Sequence, residues 1–121
     1  MAETDVILEA EVEDGSLVTL AEVKAMLERA QTGRAELTYE QKIALEHARR
    51  FARVGAPVAR AIVTDVQKSL PDLEPKYAVR VADLLPQHAD DVRAIFQKSR
   101  HDLTDADIEK VLAVVDKHYT A

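Results

Sequence analysis

Residues 17–33 read LVTLAEVKAMLERAQTG, and within them the chain changes character. Thr19 followed three residues later by Glu22 is a capping box, in which each side chain takes the backbone N–H that the other residue leaves open. Val18 before the cap and Val23 after it can close a hydrophobic staple. A helix is therefore expected from Leu20, with Leu20, Val23, Leu27 and Ala30 along one stripe and Gly33 ending it. On the other side of Thr19 the period is two. In DVILEAEVED, residues 5–14, Val6, Leu8, Ala10 and Val12 share one face and Glu9, Glu11 and Glu13 the other, over roughly 23 Å of strand. Asp14-Gly15 is a turn signal, and Ser16 to Val18 could fold back as a very short second strand. A two-stranded hairpin alone is marginal in water. Addition to the edge of another protein's sheet would satisfy its backbone and cover its apolar face, the alternative being an unpaired acidic tail.

Everything after residue 17 carries helix punctuation. Thr38 and Gln41 repeat the capping box ahead of Ala44, Leu45, Ala48, Phe51 and Ala52 on one face. Gly55 and Pro57 stop that helix and open a third, which buries Val58, Ala59, Ile62, Val63, Val66 and Leu70 before Pro71. Pro75 starts a fourth with Ala78, Val81, Ala82 and Leu85 inward, and Pro86 ends it. A short fifth carries Val92, Ile95 and Phe96, with Asp90 and Asp91 at its positive end and Lys98 and Arg100 at its negative end. Thr104 and Asp107 cap the last, whose stripe is Ile108, Val111, Leu112, Val115 and Tyr119, with a Leu103 to Ile108 staple. The fold class expected is mainly α: a strand or short hairpin and a helix that dock on a partner, residues 1–35, then a helical bundle, residues 36–121.

Composition fits one core. The chain has 121 residues, 47% hydrophobic and 31% charged, with Tyr39, Tyr77, Tyr119, Phe51 and Phe96 as its aromatics. The interior must therefore rest on Ala, Val, Leu and Ile, which suits close helix packing. With no cysteine there is no disulfide framework, no Cys-based zinc site and no thiol catalysis. No apolar run reaches the length of a membrane span and the first residues are too acidic for a signal peptide, so a cytoplasmic protein is expected. Residues 1–31 hold eight acids against Lys24 and Arg29, which accounts for the whole net charge of −6, while the rest carries fourteen charges of each sign. Free nucleic-acid binders are usually basic, so the leader is better suited to a basic protein partner.

Candidate chemistry is sparse. His47, His88, His101 and His118 form no His-x-x-x-His or Glu-x-x-His pair, so no metal is expected. Asp102, Asp105 and Asp107 lack the glycine and terminal glutamate of a calcium loop, and capping accounts for them. Gly15, Gly33 and Gly55 cannot build a phosphate cradle, and Ser16, Ser69 and Ser99 lie in no nucleophile-elbow context. No cofactor and no catalytic residue is expected. Two basic clusters remain, Arg49, Arg50 and Arg53 in HARRFAR and Arg93, Lys98 and Arg100 in VRAIFQKSRH. They could touch RNA or a protein factor, although a solvated helix face with pairs such as Glu46 to Arg50 explains them too. Phe51 and Phe96 read as core rather than as stacking platforms.

Three strings in this order, LVTLAEVKAMLE (17–28), ELTYEQKIALEHARRFA (36–52) and LLPQHADDVRAIFQKSRHDLTDADIEKVLAVV (84–115), closely resemble the F-subunit family of archaeal RNA polymerase, the counterpart of the eukaryotic polymerase's fourth subunit. DDVRAIFQKSR followed by the threonine-capped helix is the most specific part, and the likeness runs from about Val6 to Tyr119. The resemblance implies a non-catalytic component that pairs with the polymerase's E subunit in a stalk beside the RNA exit path. It implies a helical domain similar to the helicase-and-RNase-D C-terminal (HRDC) fold, and roles in promoter opening, transcript binding and factor docking. On that reading Val6, Leu8, Ala10 and Val12, with Leu20, Val23 and Leu27, meet the E subunit, and Arg49, Arg50, Arg93, Lys98 and Arg100 contribute a salt-sensitive RNA or factor contact. The rival is a free-standing HRDC-like nucleic-acid-binding module or adaptor.

Overall fold

The computed structural model describes residues 17–33, 36–99 and 102–119, and across them the chain is mainly helical. Among the described residues six helices follow one another: α1 (Leu20–Thr32), α2 (Tyr39–Phe51), α3 (Ala56–Ser69), α4 (Pro75–Leu84), α5 (Ala89–Ile95) and α6 (Asp105–His118). None is long and apolar enough to cross a membrane. The expected strand at residues 6–12 and its turn lie outside the described residues. Of the short return strand, Leu17 sits in a single β-bridge and Val18 is buried.

The helix starts follow from local chemistry. All three expected capping boxes close: the Thr19, Thr38 and Thr104 hydroxyls each accept the N–H three residues on, at 3.1 Å, and the Glu22, Gln41 and Asp107 side chains take the cap N–H in return. Proline supplies the start elsewhere, Pro57 in the first turn of α3 and Pro75 in that of α4. Leu85, expected inside α4, is instead its C-cap in the left-handed conformation, φ 50° and ψ 61°. That backbone costs a side-chain-bearing residue roughly 1–2 kcal/mol. Burial of the leucine, 1% exposed, returns about 1.5–3 kcal/mol, and Pro86 prevents the helix from continuing.

α3 is the axis of the core. Its Ala59, Ile62, Val63 and Val66 are enclosed by Tyr77, Ala78, Val81 and Ala82 of α4 and by Ile108, Val111, Val114 and Val115 of α6. α1 packs on α3 and on α2, and a second, smaller cluster of Val18, Val23 and Ala48, with Leu27 against it, joins α1 to α2. α2 buries a narrow face, Ala44, Leu45 and Ala48. That narrowness corrects one expectation. Phe51 is 49% exposed, its ring leaning on His47 with centroids 4.7 Å apart, because it sits at the edge of the face that meets α1. Phe96 is in the core as expected, 5.6 Å from the Tyr77 ring.

Candidate partner interface

The leader joins the helices at Leu17 to Leu20, and side chains from three helices converge there. Glu22 reaches back to accept the Thr19 N–H at 2.8 Å. From α3, Arg60 grips the same carboxylate with both ends of its guanidinium, Nε to Oε2 at 2.9 Å and Nη2 to Oε1 at 2.6 Å, and Nη2 also donates to the Leu17 carbonyl at 2.8 Å. From α4, the Asp83 carboxylate accepts the Leu20 N–H at 2.8 Å. Two consecutive amides and one carbonyl at the root of the leader are thus fixed by side chains rather than by solvent. Thr19 is fully buried there.

This clamp has an electrostatic signature. Burial would raise the Glu22 carboxyl, but the Arg60 and Thr19 hydrogen bonds outweigh it and hold the group below the usual glutamate range. A carboxyl lowered by folding contributes stability above its unfolded pKa and loses it as pH falls through the folded one. Arg60→Met should therefore lower stability by about 1 kcal/mol at neutral pH, because the pair is partly solvent-screened. The difference from wild type should shrink below about pH 4 in thermal melts. An equal difference at every pH would mean that Arg60 acts through packing alone.

The residues singled out from sequence fall in different places. Val6, Leu8, Ala10, Val12 and Arg100 lie outside the described residues. Leu20 and Val23 are 7% and 6% exposed, covered by this chain's own atoms, whereas Leu27 is half-buried and its neighbour Met26 is 41% exposed. Arg49 turns toward α1, pairing with Glu28 at 3.1 Å and donating to Gln31 at 3.5 Å. Arg93 pairs with Asp90 at 2.9 Å and lies 3.8 Å from Asp105 at the start of α6. Arg50 and Lys98 are exposed. The two clusters therefore do not join into one pair network among the described residues. At the far end of the core, His118 Nε2 lies 2.6 Å from Asp65 and Lys117 3.6 Å from it, tying α6 to α3 and lowering the Asp65 carboxyl chiefly through the His118 bond. No group of three or more metal-ligating side chains forms among the described residues.

Arg60 and Asp83 were given no role by sequence. The signal available was each charge's setting: Arg60 next to Ala59 and two residues before Ile62, and Asp83 directly after Val81 and Ala82 in the run VADLL, apolar residues that turn out buried. A charge in such a place needs a partner.

A helical chain with a clamped leader takes its identity from comparison with known proteins. The family model described as RNA polymerase Rpb4 matches residues 2–119. The chain is also 36% identical, over 102 residues covering 84% of it and 83% of the relative, to the DNA-directed RNA polymerase subunit Rpo4 of Methanocaldococcus jannaschii. It is thus a DNA-directed RNA polymerase subunit, associated as such with the polymerase. The chain belongs to the Rpb4 family, as the resemblance to the archaeal polymerase component implied.

Proposed function

We propose that this protein pairs with the polymerase's E subunit to form the stalk, as a non-catalytic component that assists promoter opening, transcript binding and factor docking. The family match over residues 2–119 carries this reading. Residues 1–35 are the docking part and 36–121 an HRDC-like helical part. Val6, Leu8, Ala10 and Val12 add to the partner's sheet edge, with Leu27 beside them, while Leu20 and Val23 seat α1 from below. The acidic outer face of the leader meets basic groups of the partner. The clamp at Leu17 to Leu20 supports the reading physically, since a strand leaving a fixed root loses less freedom on docking than one leaving a loose root. Arg50 and Lys98, exposed and without an ion-pair partner among the described residues, are the stronger members of the RNA-contact set, with Arg49, Arg93 and Arg100 in support.

Hydrogen exchange of residues 6–18, measured in the isolated chain and again with the stalk partner added, tests this. The expected result is strong protection that appears only in the mixture. Exchange unchanged by the partner would remove the leader from the interface.

A further inference from the structure

The junction at the start of α1 holds two carboxylates and one cation. Arg60 is committed to Glu22 and to the Leu17 carbonyl, so Asp83 is left with the Leu20 amide as its contact at the junction and with a like charge close by. Leu20 and Thr19 are buried over it, at 7% and 0% exposure. The groups around it can be named helix by helix. α1 presents Glu22, α3 presents Arg60 turned to Glu22, and α4 itself carries Arg80 one turn back, over the Tyr77 ring at 5.2 Å. No charge on α5 or α6 contributes to its ionisation.

We propose that Asp83 is a proton-operated latch on the first turn of α1: protonated, it closes α4 onto that turn, and ionised, it loosens the seat from which the leader departs. A neutral carboxyl keeps an oxygen to accept the Leu20 N–H without repelling Glu22. An ionised one accepts the same bond while half-buried beside a second negative charge, and lifting the α1 turn would relieve both penalties. The ionisation agrees with the geometry. Burial pushes the carboxyl up, the Leu20 amide pulls it down and the Glu22 charge pushes it up again, leaving it at about 7.

The sign follows from linkage. When the turn opens, Asp83 meets water and returns to its ordinary value near 4. The closed form therefore binds the proton more tightly, and closure is favoured at low pH. Opening should grow by up to about tenfold per pH unit between roughly 4 and 7 and level off above about 8. The latch is thus poised close to neutrality, at the root of the segment proposed to dock.

Exchange protection of the Leu20 amide and titration of the Asp83 carboxyl carbon, both by NMR on the isolated full chain, test the latch independently of whether the stalk partner binds the leader. In wild type, Leu20 protection should fall by tenfold or more between about pH 5 and 7.5, with Asp83 titrating near neutrality. Asp83→Asn keeps the acceptor and removes the proton, so protection should stay high and flat across this range. Asp83→Leu should lose protection at every pH; if it does not fold, the asparagine variant still decides. The same pH dependence in Asp83→Asn, or an Asp83 that titrates near 4, would overturn the proposal.

Discussion

Leu8→Asp is expected to weaken binding to the proposed stalk partner by about 30- to 1,000-fold and to leave the melting of the isolated chain unchanged. A leucine buried on docking contributes about 1.5–3 kcal/mol, and an aspartate in its place adds the penalty of desolvating a charge at the same spot. At about 1.4 kcal/mol per decade, a total of roughly 2–4 kcal/mol gives the stated range. The control lies in α1. Leu20 and Val23, grouped with Leu8 by the sequence, are covered by the chain itself. Val23→Asp should therefore unfold the small cluster of Val18, Val23 and Ala48 before any effect on docking could be read. Titration calorimetry against the purified E subunit, beside thermal melts of each variant, separates the cases. Unchanged affinity for Leu8→Asp would take the leader's apolar face out of the interface.

That contrast shows where legibility in the sequence ends. Starts and stops of helices were readable because they depend on residues three or four apart: Thr19 with Glu22, Thr38 with Gln41, Thr104 with Asp107, and the prolines at 57 and 75. Stripes were readable for α3, α4 and α6, whose neighbours cover a wide face. What an apolar stripe does not say is which protein covers it. Leu20, Val23 and Leu27 form a regular stripe whether the cover is α2 and α3 or a second chain, and only the packing decides. The clamp was hidden for a different reason. Leu20 meets Asp83 across 63 residues and Glu22 meets Arg60 across 38, and no local period connects such positions. Leu85 was misplaced by a single residue, since its own sequence favours helix and the turn is imposed by Pro86 and by the burial of its side chain.

The two phenylalanines, alike in sequence as apolar members of helical stripes, should respond to truncation very differently. Phe96→Ala is expected to cost about 3–5 kcal/mol, as for a large core side chain whose cavity cannot collapse. Its ring is 5% exposed and pairs with Tyr77, and it caps α5, a seven-residue helix with no side-chain bond at its N-cap. So short a helix has little stability of its own, and Val92 and Phe96 are the buried side chains that hold it. Its amides at residues 92–96 should lose exchange protection before those of α3, with the rest of the core following at lower denaturant than in wild type. Phe51→Ala, from a side chain 49% exposed that rests mainly on His47, should cost about 1 kcal/mol or less. Urea unfolding of both variants, with exchange followed helix by helix, measures the difference. Comparable losses would mean that Phe51 is covered in solution by contacts that the packing of α2 on α1 does not supply. A small loss at Phe96 with α5 still protected would mean that this helix is held by its connections to α4 and α6 rather than by its own two anchors.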